Sequence, residues 1–379
     1  MEHNFACYDY CIRLIRAVMQ EKEIPAIPRD IAPEELFAFA RLHSVEAVMY
    51  YGLSELDLDM THPVWQNWEN RVAMLQAQSI VQLTERDILF DALTAGGIDL
   101  LPFKGCWLKE QYPNMEYRQM SDLDMLIHPE KSADARKIMQ SLGYEHESVK
   151  STLYHEEYMK PPYTAVELHV RPLEEDRGYY DDIWQRVHPV EGYPCLYRLS
   201  PEDEYIFYIL HLNKHLEDVG TGIRSVLDSV VYRDVYPDMD RAYLQQELEK
   251  CGLWQRTNEI ETLADCWFRT GEAVPEQLRE LAWEILTAGA FGNMENRSRN
   301  RLEKLEKKYK NPVIRGIVYW ILRICRPLDE MRQAYPLLKK LPVLLPVLWI
   351  YRAVTMFASR PREIWNHIKL VFRGGKEHG

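Results

Sequence analysis

The chain has 379 residues, 46% of them hydrophobic, with 46 Lys and Arg against 58 Asp and Glu and a net charge of −12. That apolar content excludes a disordered polymer, and the length allows two or three domains. No basic N-terminal region leads into an apolar stretch, and no apolar run reaches the roughly 20 residues of a membrane-spanning helix. A secretory leader and a transmembrane segment are therefore not expected, and the protein is placed in the cytoplasm.

Residues 4–97 are expected to be helical. Tyr8–Met19 opens the lobe, a second helix follows with Asp30 as cap and Pro33 in its first turn, and a longer one from Trp65 to Leu93 ends at Gly96-Gly97. The period then changes. Ile98–Phe103 and Met120–His128 read as strands, Pro129–Leu142 as an amphipathic helix stopped by Gly143, and Leu153–Met159 and Thr164–Val170 as strands joined by Pro161-Pro162. Helix resumes at Ser200, an N-cap, with Pro201 at the first helical position, and the Pro-rich turns near Pro189–Pro194 mark a seam. The expectation is an α+β fold: a small mixed β-sheet core at 98–199, flanked by helical lobes at 1–97 and 200–300, with a basic helical tail at 301–379.

That tail carries 17 Lys and Arg against 6 Asp and Glu, a net +11, so residues 1–300 carry −23. Within it Leu341–Tyr351 is apolar, interrupted by Pro342 and Pro346 and flanked by Lys339, Lys340, Arg352, Arg360 and Arg362. An acidic partner is expected for such a segment: membrane headgroups, nucleic acid or the acidic body itself. The seven cysteines form no Cys-x-x-Cys pair and read as free thiols. Cys7 and Cys11 lie four apart without the further ligands a zinc site needs.

The residues with most chemical content are Asp122 and Asp124 in Arg118-Gln-Met-Ser-Asp-Leu-Asp, and Glu167 in Ala165-Val-Glu-Leu-His. Strand alternation sends Asp122 and Asp124 to one face, where carboxylates repel unless cations hold them. A divalent-metal site follows, of the kind phosphoryl transfer uses. Upstream, Lys104-Gly105 leads from a strand into a helix, a turn that suits a phosphate. His169 shares the strand face of Glu167, while His211 and His215, four apart, lack the neighbouring Glu of a zinc-protease helix.

Taken together, Lys104-Gly105, Arg118, Asp122 and Asp124, Gly143-Tyr144, and Glu167 with His169 resemble the nucleotidyltransferases of the DNA polymerase β superfamily. The resemblance is closest to its uncharacterised bacterial nucleotidyltransferase branch, over about Leu89–Asp228. It implies two Mg²⁺ ions, or Mn²⁺, held by Asp122, Asp124 and Glu167, with Glu167 able to take a proton from an acceptor hydroxyl. It implies an NTP as substrate, with Lys104, Gly105, Arg118, Ser121, His169, Lys214 and Arg224 as binding residues and Asp228 orienting a basic group. The implied activity is transfer of a nucleoside monophosphate to an unidentified acceptor: a small molecule, a protein or an RNA end. The sequence departs from the superfamily at Cys106, where a Ser or second Gly is usual. The alternative is therefore a nucleotide-binding or interaction protein of the same fold without turnover.

Overall fold

The computed structural model describes residues 2–59, 61–147, 154–172, 179, 181–292 and, discontinuously, 300–359. It divides into two compact units, residues 1–216 with 220–293, and residues 217–219 with 294–379.

The first unit begins with helices α1 (Glu2–Met19), α2 (Pro33–His43) and α3 (Glu46–Ser54), followed by the long α4 (Pro63–Ala95). The cap of α2 is Ala32 in place of the expected Asp30, because the Glu35 carboxylate reaches back to accept the Ala32 N–H at 2.9 Å. Buried positions on α4 recur as Trp65, Trp68, Val72, Leu75, Ser79, Gln82, Arg86, Leu89 and Leu93. Alternating steps of three and four keep one seam inward along the helix. Its first half is apolar. In its second half Gln82 and Arg86 use the same seam to reach backbone: Gln82 Nε2 donates to Met120 O at 2.9 Å and Arg86 Nη1 to Cys106 O at 2.7 Å.

The sheet comprises β1 (Leu100–Pro102), β2 (Leu123–Ile127), β3 (Glu145–His146), β4 (His155–Lys160) and β5 (Thr164–His169), in the order β1-β2-β5-β4-β3. Only β2 and β5 run parallel; the other pairs are antiparallel. The short helix α5 (Gly105–Leu108) follows β1, and α6 (Ser132–Ser141) crosses between β2 and β3. One face of the sheet sets Leu123, Met125, Ile127, Val166 and Leu168 into a core with Leu89, Phe90 and Leu93 of α4 and Ala135 and Met139 of α6. The alternate positions, Asp124, Glu167 and His169, emerge on the opposite face.

Three expectations need adjusting. The second strand starts at Leu123, not Met120, because the preceding carbonyls bond to side chains instead of the ladder. Pro129–Lys131 is a 3₁₀ turn ahead of α6. Two-residue strands carry no readable period, so β3 and the hairpin of β6 (His188–Pro189) with β7 (Tyr197–Arg198) were not foreseen. Leu153, at the start of the third expected strand, lies outside the described residues.

Beyond the sheet come α7 (Pro201–Asp218), α8 (Ile223–Val235), α9 (Arg241–Lys250), α10 (Trp254–Asp265) and α11 (Arg279–Ala288). Ser200 caps α7 as expected, its Oγ accepting the Asp203 N–H at 3.1 Å. The second unit contains helices Pro312–Ile324, capped by Asn311, and Leu345–Ser359, the latter entered through a 3₁₀ turn at Pro342–Leu344. Among the described residues no helix is long and apolar enough to cross a membrane. Arg360, Arg362 and the rest of the tail lie outside the described residues.

Candidate active site

Parallel pairing of β2 with β5 sets Asp124 directly opposite Glu167 and Leu126 opposite His169. The antiparallel neighbour β4 then sets Glu157 opposite Glu167 and His155 opposite His169. Alternation turns these acidic and imidazole groups to one face, with Asp122 immediately before β2. Asp122 and Asp124 lie together as their spacing suggested, and the β2–β5 register brings Glu167 beside them.

Asp124 is 5% exposed and its two oxygens face different cations. Lys104 Nζ lies 3.0 Å from Oδ2, and His169 Nε2 lies 3.0 Å from Oδ1 and 3.2 Å from Glu167 Oε2. Burial opposes the charge on Asp124, but Lys104 and His169 overcome it and hold the carboxyl well below its usual range. Burial likewise opposes Glu167, which His169 brings down despite Asp124. His169 loses hydration yet is pushed up by the two carboxylates it bridges, so its N–H donates between them. Asp122 behaves oppositely: burial first, then repulsion from Asp124, pushes it up to about 6.

A carboxyl raised in this way binds its proton more tightly in the folded chain than in the unfolded one. Its contribution to stability is intact below about pH 4 and is lost as pH rises towards 6. Asp122→Asn is expected to exceed the wild type by on the order of 2 kcal/mol at pH 7.5 without divalent ions, the gap closing by pH 4. Urea unfolding at both pH values checks this; equal stabilities at pH 7.5 would contradict the raised carboxyl.

The Lys104-Gly105 turn sits against this face. Lys104 adopts φ 46° and ψ −115°, a conformation that costs a non-glycine residue about 1–3 kcal/mol, and the same turn delivers its ammonium to Asp124. Burial weakens that charge, and Asp124, Asp122 and Glu167 more than restore it. Gly105 is needed for close approach: a Cβ would stand 2.3 Å from Met120 Sδ and 2.8 Å from Arg118 Nη1. Cys106 is buried, its thiol pushed up to about 12 chiefly by burial, and it donates to Asp124 O at 3.5 Å.

Behind the turn lies a second ionic cluster. Arg118 makes a two-pronged bond to Asp228, Nε to Oδ1 at 2.9 Å and Nη2 to Oδ2 at 3.0 Å, and Tyr112 donates to Oδ1 at 2.6 Å. Lys109 Nζ donates to Arg118 O at 2.7 Å and Arg224 Nη1 to Gln119 O at 2.5 Å. With Gln82 on Met120 O, three successive carbonyls ahead of Asp122 are each gripped by a long side chain from a different element. Burial, then Arg118 and Arg224, push Lys109 down to about 7.

Ser121 hydrogen-bonds Asp122 through its side chain. On α7, His211 and His215 lie 3.1 Å apart through their Nε2 atoms. Burial first, then Lys104, His215 and Lys214, keep His211 well below its usual range. Lys214, on the same helix, is exposed, whereas Arg224 is close enough to sense Asp122. Sequence reasoning missed His155, Lys109 and Tyr112. His155 alternates with Glu157 within an expected strand, and that period was its only available signal.

A carboxylate cluster on adjoining strands of a mixed sheet, beside a Lys-Gly turn, is the arrangement expected of a nucleotidyltransferase. Residues 29–269 match the model of the family described as uncharacterised nucleotidyltransferase, and the chain belongs to that family. The match runs well past both ends of the Leu89–Asp228 segment. No curated protein and no solved structure matches the chain.

Proposed function

We propose that the protein transfers a nucleoside monophosphate from an NTP to an acceptor hydroxyl, releasing pyrophosphate. The observation that carries this is the register of Asp124 opposite Glu167 with Asp122 beside them. The donor chemistry fits Mg²⁺ or Mn²⁺: carboxylate oxygens suit hard cations, and beyond the effect of burial the Asp122 carboxyl is raised by its neighbours Asp124 and Glu167, whose repulsion a cation would relieve. Divalent ions held by Asp122, Asp124 and Glu167 would neutralise the triphosphate and make the acceptor hydroxyl more acidic. Glu167 then accepts the hydroxyl proton, with His169 steadying it through the Nε2 contact. Lys104, Gly105 and Ser121 line the turn where the phosphates would rest, and Arg224 adds positive charge behind it, whereas Arg118 is compensated by Asp228 and Lys214 is exposed. Labelled NTP with Mg²⁺ and host lysate identifies the acceptor. Pyrophosphate release that disappears in Asp122→Asn with Asp124→Asn supports transfer. Nucleotide binding without release across a broad acceptor screen supports the non-catalytic alternative, which the buried Cys106 thiol and the Lys104–Asp124 pair favour.

A separate observation favours docking of the second unit on an anionic membrane surface. On helix Pro312–Ile324, Val313, Ile314, Ile317 and Ile321 are each about half exposed along one stripe, and the half-buried Arg323 and exposed Arg326 follow at the helix end. The intact protein is expected to float with phosphatidylglycerol vesicles at low salt, and Ile317→Glu with Ile321→Glu to stay at the bottom of the gradient. A wild type that never floats, or that binds RNA instead, rules this surface out.

A further inference from the structure

His155, Glu167 and His169 form a cluster with a different ligand character from the paired aspartates. They meet across the β4–β5 ladder, where His155 faces His169 and Glu167 stands two residues before it. One ligand atom from each lies within 4.8 Å of the other two, and the imidazole rings stand 5.2 Å apart at 45°. His169 Nε2 is also 3.0 Å from Asp124 Oδ1 and 3.2 Å from Glu167 Oε2. Neighbouring ligands around a six-coordinate ion with bonds of about 2.1 Å are separated by roughly 3 Å, so His169 and Glu167 already stand at the spacing of neighbouring ligands, with His155 within 4.8 Å of both. Nitrogen changes which cation that is. Mg²⁺ selects oxygen ligands and holds its water, whereas a first-row transition ion accepts imidazole and carboxylate together. Two histidines and one carboxylate also leave coordination positions open.

We propose that His155, Glu167 and His169 form a nitrogen-containing divalent site that takes a transition ion such as Mn²⁺ in preference to Mg²⁺. This rests on the nucleotidyltransferase reading only for its use in catalysis: one of the cations serving the reaction would be nitrogen-ligated, and the enzyme would prefer Mn²⁺. The site itself stands on the three side chains. Their contacts also make Asp124 a neighbour that senses occupancy through His169.

Pulsed electron paramagnetic resonance of Mn²⁺ added to the full chain without nucleotide tests the proposal. The wild type is expected to show modulation from directly bound ¹⁴N, persisting in about a tenfold excess of Mg²⁺. His155→Gln and His169→Gln are each expected to weaken Mn²⁺ binding by at least about tenfold and to reduce the modulation. Bound Mn²⁺ without nitrogen coupling, ready displacement by equimolar Mg²⁺, or no binding at all would overturn the site. The wild-type spectrum decides even if a variant fails to fold. Turnover is scored separately: nitrogen coupling with no pyrophosphate release under any acceptor condition would sink the catalytic reading and leave the site standing. Mg²⁺-supported release with no nitrogen coupling would do the reverse.

Discussion

Asp124→Asn is expected to lower pyrophosphate release by at least about three orders of magnitude while leaving a folded chain. Asparagine matches the size of the buried side chain and its carbonyl oxygen still accepts from His169, so packing between Leu123 and Met125 is kept. What disappears is the negative charge shared by Lys104 and His169. Lys104 keeps Asp122 and Glu167 as partners, which limits the structural cost. Asp122 loses its strongest repulsive neighbour, so its carboxyl should also move back towards the ordinary range. Release assays, a thermal melt and carboxyl titration by NMR together separate the chemical effect from unfolding. Turnover within about tenfold of the wild type would mean that Asp124 does not touch the reaction.

The largest effect on stability is expected at Asp228. This one carboxylate compensates Arg118 in a bidentate bond, accepts from Tyr112, and lies near Arg224, all in the buried interior behind Gly105. Asp228→Ala strands those cations, a loss of about 3–5 kcal/mol for a broken buried pair. Replacing both partners, Arg118→Met with Asp228→Leu, should cost less than the single change, because neither charge is then left uncompensated. Denaturant unfolding of the wild type and these two variants measures this. A single-variant loss below about 1 kcal/mol would show that water reaches the pair and screens it.

The site was legible where its signal was local. Asp122-Leu-Asp124 and Glu167-Leu-His169 each span three residues, so alternation indicates a shared face within each pair, although Asp122 itself precedes β2. The Lys104-Gly105 turn was visible for the same reason, although nothing in the residue type announced that Lys104 would take a positive φ. Pairing between distant segments was not legible. The Arg118–Asp228 bond spans 110 positions, and a sequence offers many acidic candidates for a buried arginine. His155 stayed hidden because only the register of β4 on β5 brings it to His169. The fold class was readable from the change of period at Ile98 and the return of helix at Ser200, while the two-residue strands fell below the length at which alternation means anything.

The parallel join of β2 to β5 also bears on how the chain acquires its site. Asp124 and Glu167 sit on strands that cannot be linked by a tight hairpin, and the intervening α6, β3 and β4 must be threaded before they align. Closing so long a loop is entropically costly before any contact repays it, which makes such pairings slow steps in folding. Metal affinity should accordingly emerge late during refolding, after helical circular dichroism has recovered. A time-resolved Mn²⁺ signal would then serve as a clock for completion of the sheet.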